Sequence, residues 1–171
     1  MSPDRSPPVA LETVRDSDLW DALPDAETLV ASAVSAAFDE AGLEALPDAE
    51  LAVTLADDAR VRELNAAWRA RDKPTNVLTF PAFEPDQMAD APMLGDVILA
   101  YETVAREAED EGKPFAAHLS HLVVHGVLHL FGYDHDDDDD AEEMEAIETR
   151  ALARIGVADP YADAPDTFRT V

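Results

Sequence analysis

A chain of 171 residues has room for one domain with a sizeable core, and not for two of ordinary size. Its 47% apolar content argues against disorder, the absence of cysteine excludes disulfides and thiolate metal ligands, and no uncharged apolar stretch reaches the length of a membrane span. Twelve basic side chains against 38 acidic ones leave a net charge of −26, more than solubility requires and suited to hydration in concentrated salt.

The opening MSPDRSPPVA has neither a basic n-region nor an apolar h-region, so the expectation is a soluble, cytoplasmic protein. Residues 1–8 and 162–171 read as loose tails of a single domain, 1–171. Val9 to Val14 reads as a first strand. Asp25 is placed to cap a helix whose apolar stripe runs from Leu29 to Phe38, and Gly42 offers its stop. Glu50 to Ala56 alternates as a strand, and Asp57 or Asp58 begins a second helix with Val61, Leu64 and Trp68 as the expected buried stripe. NVLTF and DVILAY read as buried strands separated by a proline-containing loop, residues 81 to 94. Helices follow from about Glu102 to Glu111 and from Pro114 towards Gly132. A last helix begins within the aspartate run and buries Met144, Ile147, Ala151, Leu152 and Ile155 before Gly156. The expected fold is α/β (α+β): a single mixed sheet of about four strands packed with about five helices, and a zinc site at the end of a central helix.

All five histidines fall between positions 118 and 135. His125 and His129 are four apart, so on a helix both project from one face about one turn apart, close enough to share an ion. Gly132 can turn the chain back with positive φ and bring His135 to the same ion. Three imidazoles suit one Zn2+ and leave a fourth position for water or substrate, the mark of a catalytic site. His118 and His121 lie too far along the helix and read as packed or supporting histidines. The spacing resembles the zinc metalloprotease pattern H-E-x-x-H-x-x-G-x-x-H, but Gly126 stands where the protease carries its general base. That turns the chemistry away from peptides and towards other electrophiles, with phosphate esters a natural candidate.

Three blocks resemble the bacterial YbeY-type endoribonucleases: HGVLHLFGYDH from His125 to His135 with the acidic helix EEMEAIE after it, WRARDKPTNVLTFP from Trp68 to Pro81, and LGDVIL from Leu94 to Leu99. The resemblance implies zinc on His125, His129 and His135 and a role in RNA cleavage for Arg69, although Ala70 follows it where the family usually has glycine. It further implies cleavage of single-stranded rRNA, formation of the 3′ end of 16S rRNA, ribosome quality control, and the small ribosomal subunit with its associated factors as partners. Neither DNA nor a membrane is an expected partner.

The residues supply a separate observation. Arg60, Arg62, Arg69, Arg71 and Lys73 fall within fourteen positions whose only acids are Glu63 and Asp72, a basic stripe in a very acidic chain. Such a stripe suits a phosphate backbone, and beside the matching block it marks Arg62, Arg71, Lys73 and Asn76 as candidate substrate contacts. Asp134 is a candidate supporting group or proton acceptor near the metal. The aspartate run fails as a calcium loop because Asp139 stands where the sharp turn needs glycine; its acids instead complement the dipole of the last helix. Two rivals stand beside the RNA hydrolase: a metallopeptidase-like zinc hydrolase, and a non-catalytic ribosome-assembly factor whose zinc fastens the turn after Gly132.

Overall fold

The computed structural model describes residues 7–69, 75–134 and 137–161, with the side chain of Arg69 outside the description. The expected tails therefore lie outside the described residues except for Pro7 and Pro8.

Four strands form one mixed sheet in the order β1-β2-β4-β3. Strand β1 (Ala10–Arg15) runs parallel to β2 (Glu50–Ala56), β2 runs parallel to β4 (Met93–Ala100), and β3 (Val77–Pro81) is antiparallel to β4. Parallel neighbours need a crossover, and helix α1 (Ala26–Ala41) supplies the one between β1 and β2. The alternation expected of Glu50 to Ala56 is present: Leu51, Val53 and Leu55 are buried in the main core. Strand β3 departs from the expectation of a buried strand, because it pairs only with β4 at the end of the sheet and buries only Leu78 fully.

Helices α1, α4 (Phe115–Leu130) and α5 (Asp138–Arg154) pack on one another around the main core, with α4 against β3 and β4. Helix α3 (Tyr101–Glu111) packs against α4. The other sheet face carries α2 (Asp58–Arg69) over a small cluster of Ala56, Val61, Leu78, Ile98 and Ala100. That cluster is too short for the whole helix. Val61 is buried and Leu64 is partly so, but Trp68 is 73% exposed, contrary to the expected stripe, and Asn65 is buried instead.

Several termini follow their sequence signals. Asp57 accepts from the Arg60 amide at 2.8 Å, and Asp137 accepts from the Asp140 amide at 2.8 Å, so each caps its helix. Asp25 stands at the N-cap of α1 as expected, where its carbonyl accepts from the Leu29 amide at 3.1 Å, although its side chain makes no capping bond. Ile155 lies just past α5 and is only partly buried. Two short 3-10 helices, Asp18–Ala22 and Pro85–Asp90, were not expected. The first buries Trp20, whose indole N–H donates to the Ala56 carbonyl at 2.8 Å. Arg15 ties down the same segment through Glu27 and the Trp20, Leu23 and Pro24 carbonyls.

Candidate metal centre and the cleft beside it

Helix α4 is apolar over most of its surface, because it lies against the sheet and helices α1, α3 and α5, and its histidines occupy the remaining side. The four-residue spacing brings His125 and His129 together: their Nε2 atoms lie 3.0 Å apart. Two nitrogens at that separation can both bond one ion at about 2.0–2.1 Å. Gly132 follows with φ 99°, and the Tyr133 amide returns to the Leu128 carbonyl at 3.1 Å, so the chain leaves the helix in a tight reversal. His135, the third candidate ligand, lies outside the described residues. Asp134 is exposed at the end of that reversal, bordering an acidic hollow with Asp140 and Glu143.

The residue that sequence reasoning missed is Glu148. It projects from α5 with 1% of its side chain exposed, and Oε2 meets His125 Nδ1 at 2.5 Å. Its other oxygen takes His121 Nε2 at 2.9 Å and the Tyr161 hydroxyl. Burial raises the Glu148 carboxyl pKa, but hydrogen bonds from His121 and His125 and their positive character outweigh it and bring the group down to about 2. It is therefore a carboxylate, and a carboxylate only accepts. A neutral His125, the form that can bind a metal, would then carry its proton on Nδ1 and leave Nε2 as a lone pair facing His129. Two imidazole nitrogens are donors of the kind a divalent transition metal takes, but among the described residues no group of three or more His, Cys, Asp or Glu gathers around one point, and the third candidate, His135, lies outside them. The Tyr161 hydroxyl is pushed far above its ordinary range by burial and by the Glu148 charge beside it. A signal was available in the sequence: position 148 lies on the same stripe as Met144, Ala151 and Leu152, where an isolated acid needs a partner.

Beside His125 opens a cleft of about 410 Å³ lined by Asn76, Glu107, His118, His121 and Tyr161 among others. Asn76 donates to Glu107 at 3.0 Å and His118 Nε2 meets the same carboxylate oxygen at 2.9 Å, so the structure brings Asn76 to the histidine helix. His118 and His121 are supporting groups, each engaged with a carboxylate. Asp96 lines a different hollow with Glu12 and Glu50, away from the histidines.

Of the basic stripe, Arg62 is an exposed residue of α2, while Arg71 and Lys73 and the side chain of Arg69 lie outside the described residues. Arg60 is engaged with Glu63 at 2.5 Å and Asp16 at 3.9 Å, which narrows the stripe. Gly126 also acquires a reason. A Cβ there would sit 2.9 Å from Val97 Cγ1 and 3.5 Å from Thr79 Cγ2, so this side of α4 is pressed on the sheet. The glutamate of the protease pattern has no space at this position, which weighs against the peptidase alternative on packing grounds as well as on chemistry.

Two imidazole nitrogens 3.0 Å apart beside an open cleft are compatible with a metal-dependent hydrolase. The pattern of the endoribonuclease YbeY family matches residues 16–156, and the chain belongs to that family of RNA-cleaving enzymes of ribosomal RNA maturation. It is 57% identical over 155 residues to endoribonuclease YbeY of Bradyrhizobium diazoefficiens, spanning 88% of this chain and 84% of the relative. It is 61% identical over 118 residues to endoribonuclease YbeY of Sinorhizobium fredii, spanning 68% of each. The solution structure of TM1509 from Thermotoga maritima shares the fold, with a TM-score of 0.54 and 23% identity over 85% of this chain and 91% of that one. Among the described residues no helix is long and apolar enough to cross a membrane.

Proposed function

We propose that the chain is a single-domain, zinc-dependent endoribonuclease of single-stranded rRNA, acting at the 3′ end of 16S rRNA and in quality control of the small ribosomal subunit. His125, His129 and His135 hold one Zn2+, and Arg69 takes charge on the phosphate in the transition state. The observation that carries this reading is the pair of Nε2 atoms at 3.0 Å, with Glu148 Oε2 against the opposite nitrogen of His125. Family membership supports the substrate class.

When bound, zinc supplies a Lewis acid that favours attack on the phosphodiester. The protein's own part is orientation and charge. The long guanidinium of Arg69 is suited to two phosphoryl oxygens at once, and Arg62, Arg71 and Lys73 extend the positive track along the strand. Asn76 borders the cleft where a nucleotide next to the cut bond would lie. Asp134, the neighbour of the third histidine in sequence, is the candidate to support it or to take a proton.

Arg69→Ala tests the division of labour. The variant is expected to keep one zinc per chain and to lose cleavage of a single-stranded rRNA fragment by about 10²- to 10³-fold, the usual cost of removing one transition-state donor. Full cleavage by that variant would refute the role of Arg69. The product ends identify the nucleophile: a 2′,3′-cyclic phosphate means attack by the RNA 2′-OH, and its absence means attack by water.

A further inference from the structure

We propose that Glu148 is a positioning residue for the metal centre: its carboxylate accepts a hydrogen bond from Nδ1–H of His125 and so holds the opposite nitrogen as a lone pair aimed at the point shared with His129. The inference rests on the reading of His125 as a ligand, and extends it to a residue on a different helix.

Three observations carry it. First, the geometry is specific. Oε2 of Glu148 is 2.5 Å from His125 Nδ1, while Oε1 is occupied by His121 and Tyr161, so the two oxygens have separate duties. Second, the carboxylate is held rigidly. Glu148 sits among Met144, Ile147, Ala151 and Leu152 in the core, and α5 is fastened to α1 by Arg150 and Arg154, at 3.6 Å and 3.3 Å from Glu40. Third, no group of fixed positive charge is among its hydrogen-bond partners in the described residues, which are His121, His125 and Tyr161. A buried anion is costly without an opposing charge. A divalent cation on the far nitrogen of His125 supplies one, so the anion and the metal favour each other through the imidazole. Without the carboxylate, His125 is free to move its proton to Nε2 and block its own lone pair.

The test uses the full chain and two readouts other than cleavage. Nitrogen-15 NMR of the histidine rings in the metal-free protein is expected to show His125 in the Nδ1–H form, its signals assigned by their loss in His125→Gln. Zinc affinity is then measured by competition with a chromophoric chelator. Glu148→Gln keeps the volume but offers one neutral oxygen to three donors, and zinc affinity is expected to fall about 10- to 100-fold. Tyr161→Phe, which touches only the other oxygen, is expected to leave that affinity unchanged. Circular dichroism confirms that each variant is folded.

An Nε2–H tautomer in the unaltered chain overturns the proposal, as does undiminished zinc affinity in folded Glu148→Gln. If Glu148→Gln does not fold, the tautomer of the unaltered chain decides alone. Zinc binding that is absent, or that survives His129→Ala, refutes the metal site and leaves the tautomer to judge Glu148.

Discussion

The two regions proposed to carry the chemistry are built in opposite ways. The histidines stand on α4, which packs on α1, α3, α5 and two strands, and the ionisable groups around them are engaged with one another. The basic stripe begins on α2, which covers a cluster of five buried residues and ends on an exposed tryptophan. A metal centre needs ligands fixed to within a fraction of an ångström, and packing provides that. A phosphate track needs charge that remains accessible, and a lightly packed helix provides that. The firmly packed α4 and the lightly packed α2 thus lie on opposite faces of one sheet.

Substitutions in the two regions should therefore differ in size. The largest effect is expected at Gly126. Gly126→Glu, which restores the protease residue, places an unpaired charge against Val97 and Thr79, and is expected to cost more than about 4 kcal/mol and leave no folded protein. Gly126→Ala is milder: overpacking costs about 1–3 kcal/mol, offset by about 1 kcal/mol from the better helix former. Urea denaturation of the metal-free chain measures this variant, and an unchanged midpoint would mean that Val97 yields more easily than its place in the core suggests.

Arg15 gives an intermediate case, since it shows an arginine used for folding. Its hydrogen bond to Glu27 holds that carboxyl below its ordinary value of 4.5. A depressed carboxyl adds stability that is fully present above the ordinary value and is lost as pH falls through the lowered one. The urea midpoint should therefore drop on acidification below 4.5, and Glu27→Gln should flatten that limb. The effect is small because the Glu27 side chain is 45% exposed. An equally steep acid limb in the variant would remove Glu27 from the account.

The smallest effect is expected on α2. Trp68→Ser removes a side chain that is already 73% exposed, so stability should change by no more than about 0.5 kcal/mol. A loss of several times that would show that Trp68 is packed after all, and would weaken the contrast between the two regions.

Much of this was legible beforehand because the signals are local. The strand Glu50–Ala56 follows from alternation, the reversal after α4 from a glycine that accepts φ 99°, and the pairing of His125 with His129 from the pitch of a helix. Trp68 misled for an equally physical reason: helical periodicity names a face, but not how far the neighbouring surface extends beneath it. The same limit hid β3 as an edge strand, since strand order depends on partners distant in sequence.

The sequence by itself determined the candidate ligand histidines and their spacing, the basic stripe, the family, and the order of strands and main helices along the chain. Only the tertiary structure decided that Glu148 reaches His125 from another helix, that Gly126 is pressed on Val97, and that Arg60 is engaged by Glu63 and Asp16. Backbone periodicity is set by neighbours within a few residues and can be read along the chain. The Glu148 contact spans 23 residues, and the fit of α4 on the sheet spans 29, so both exist only once the elements have packed.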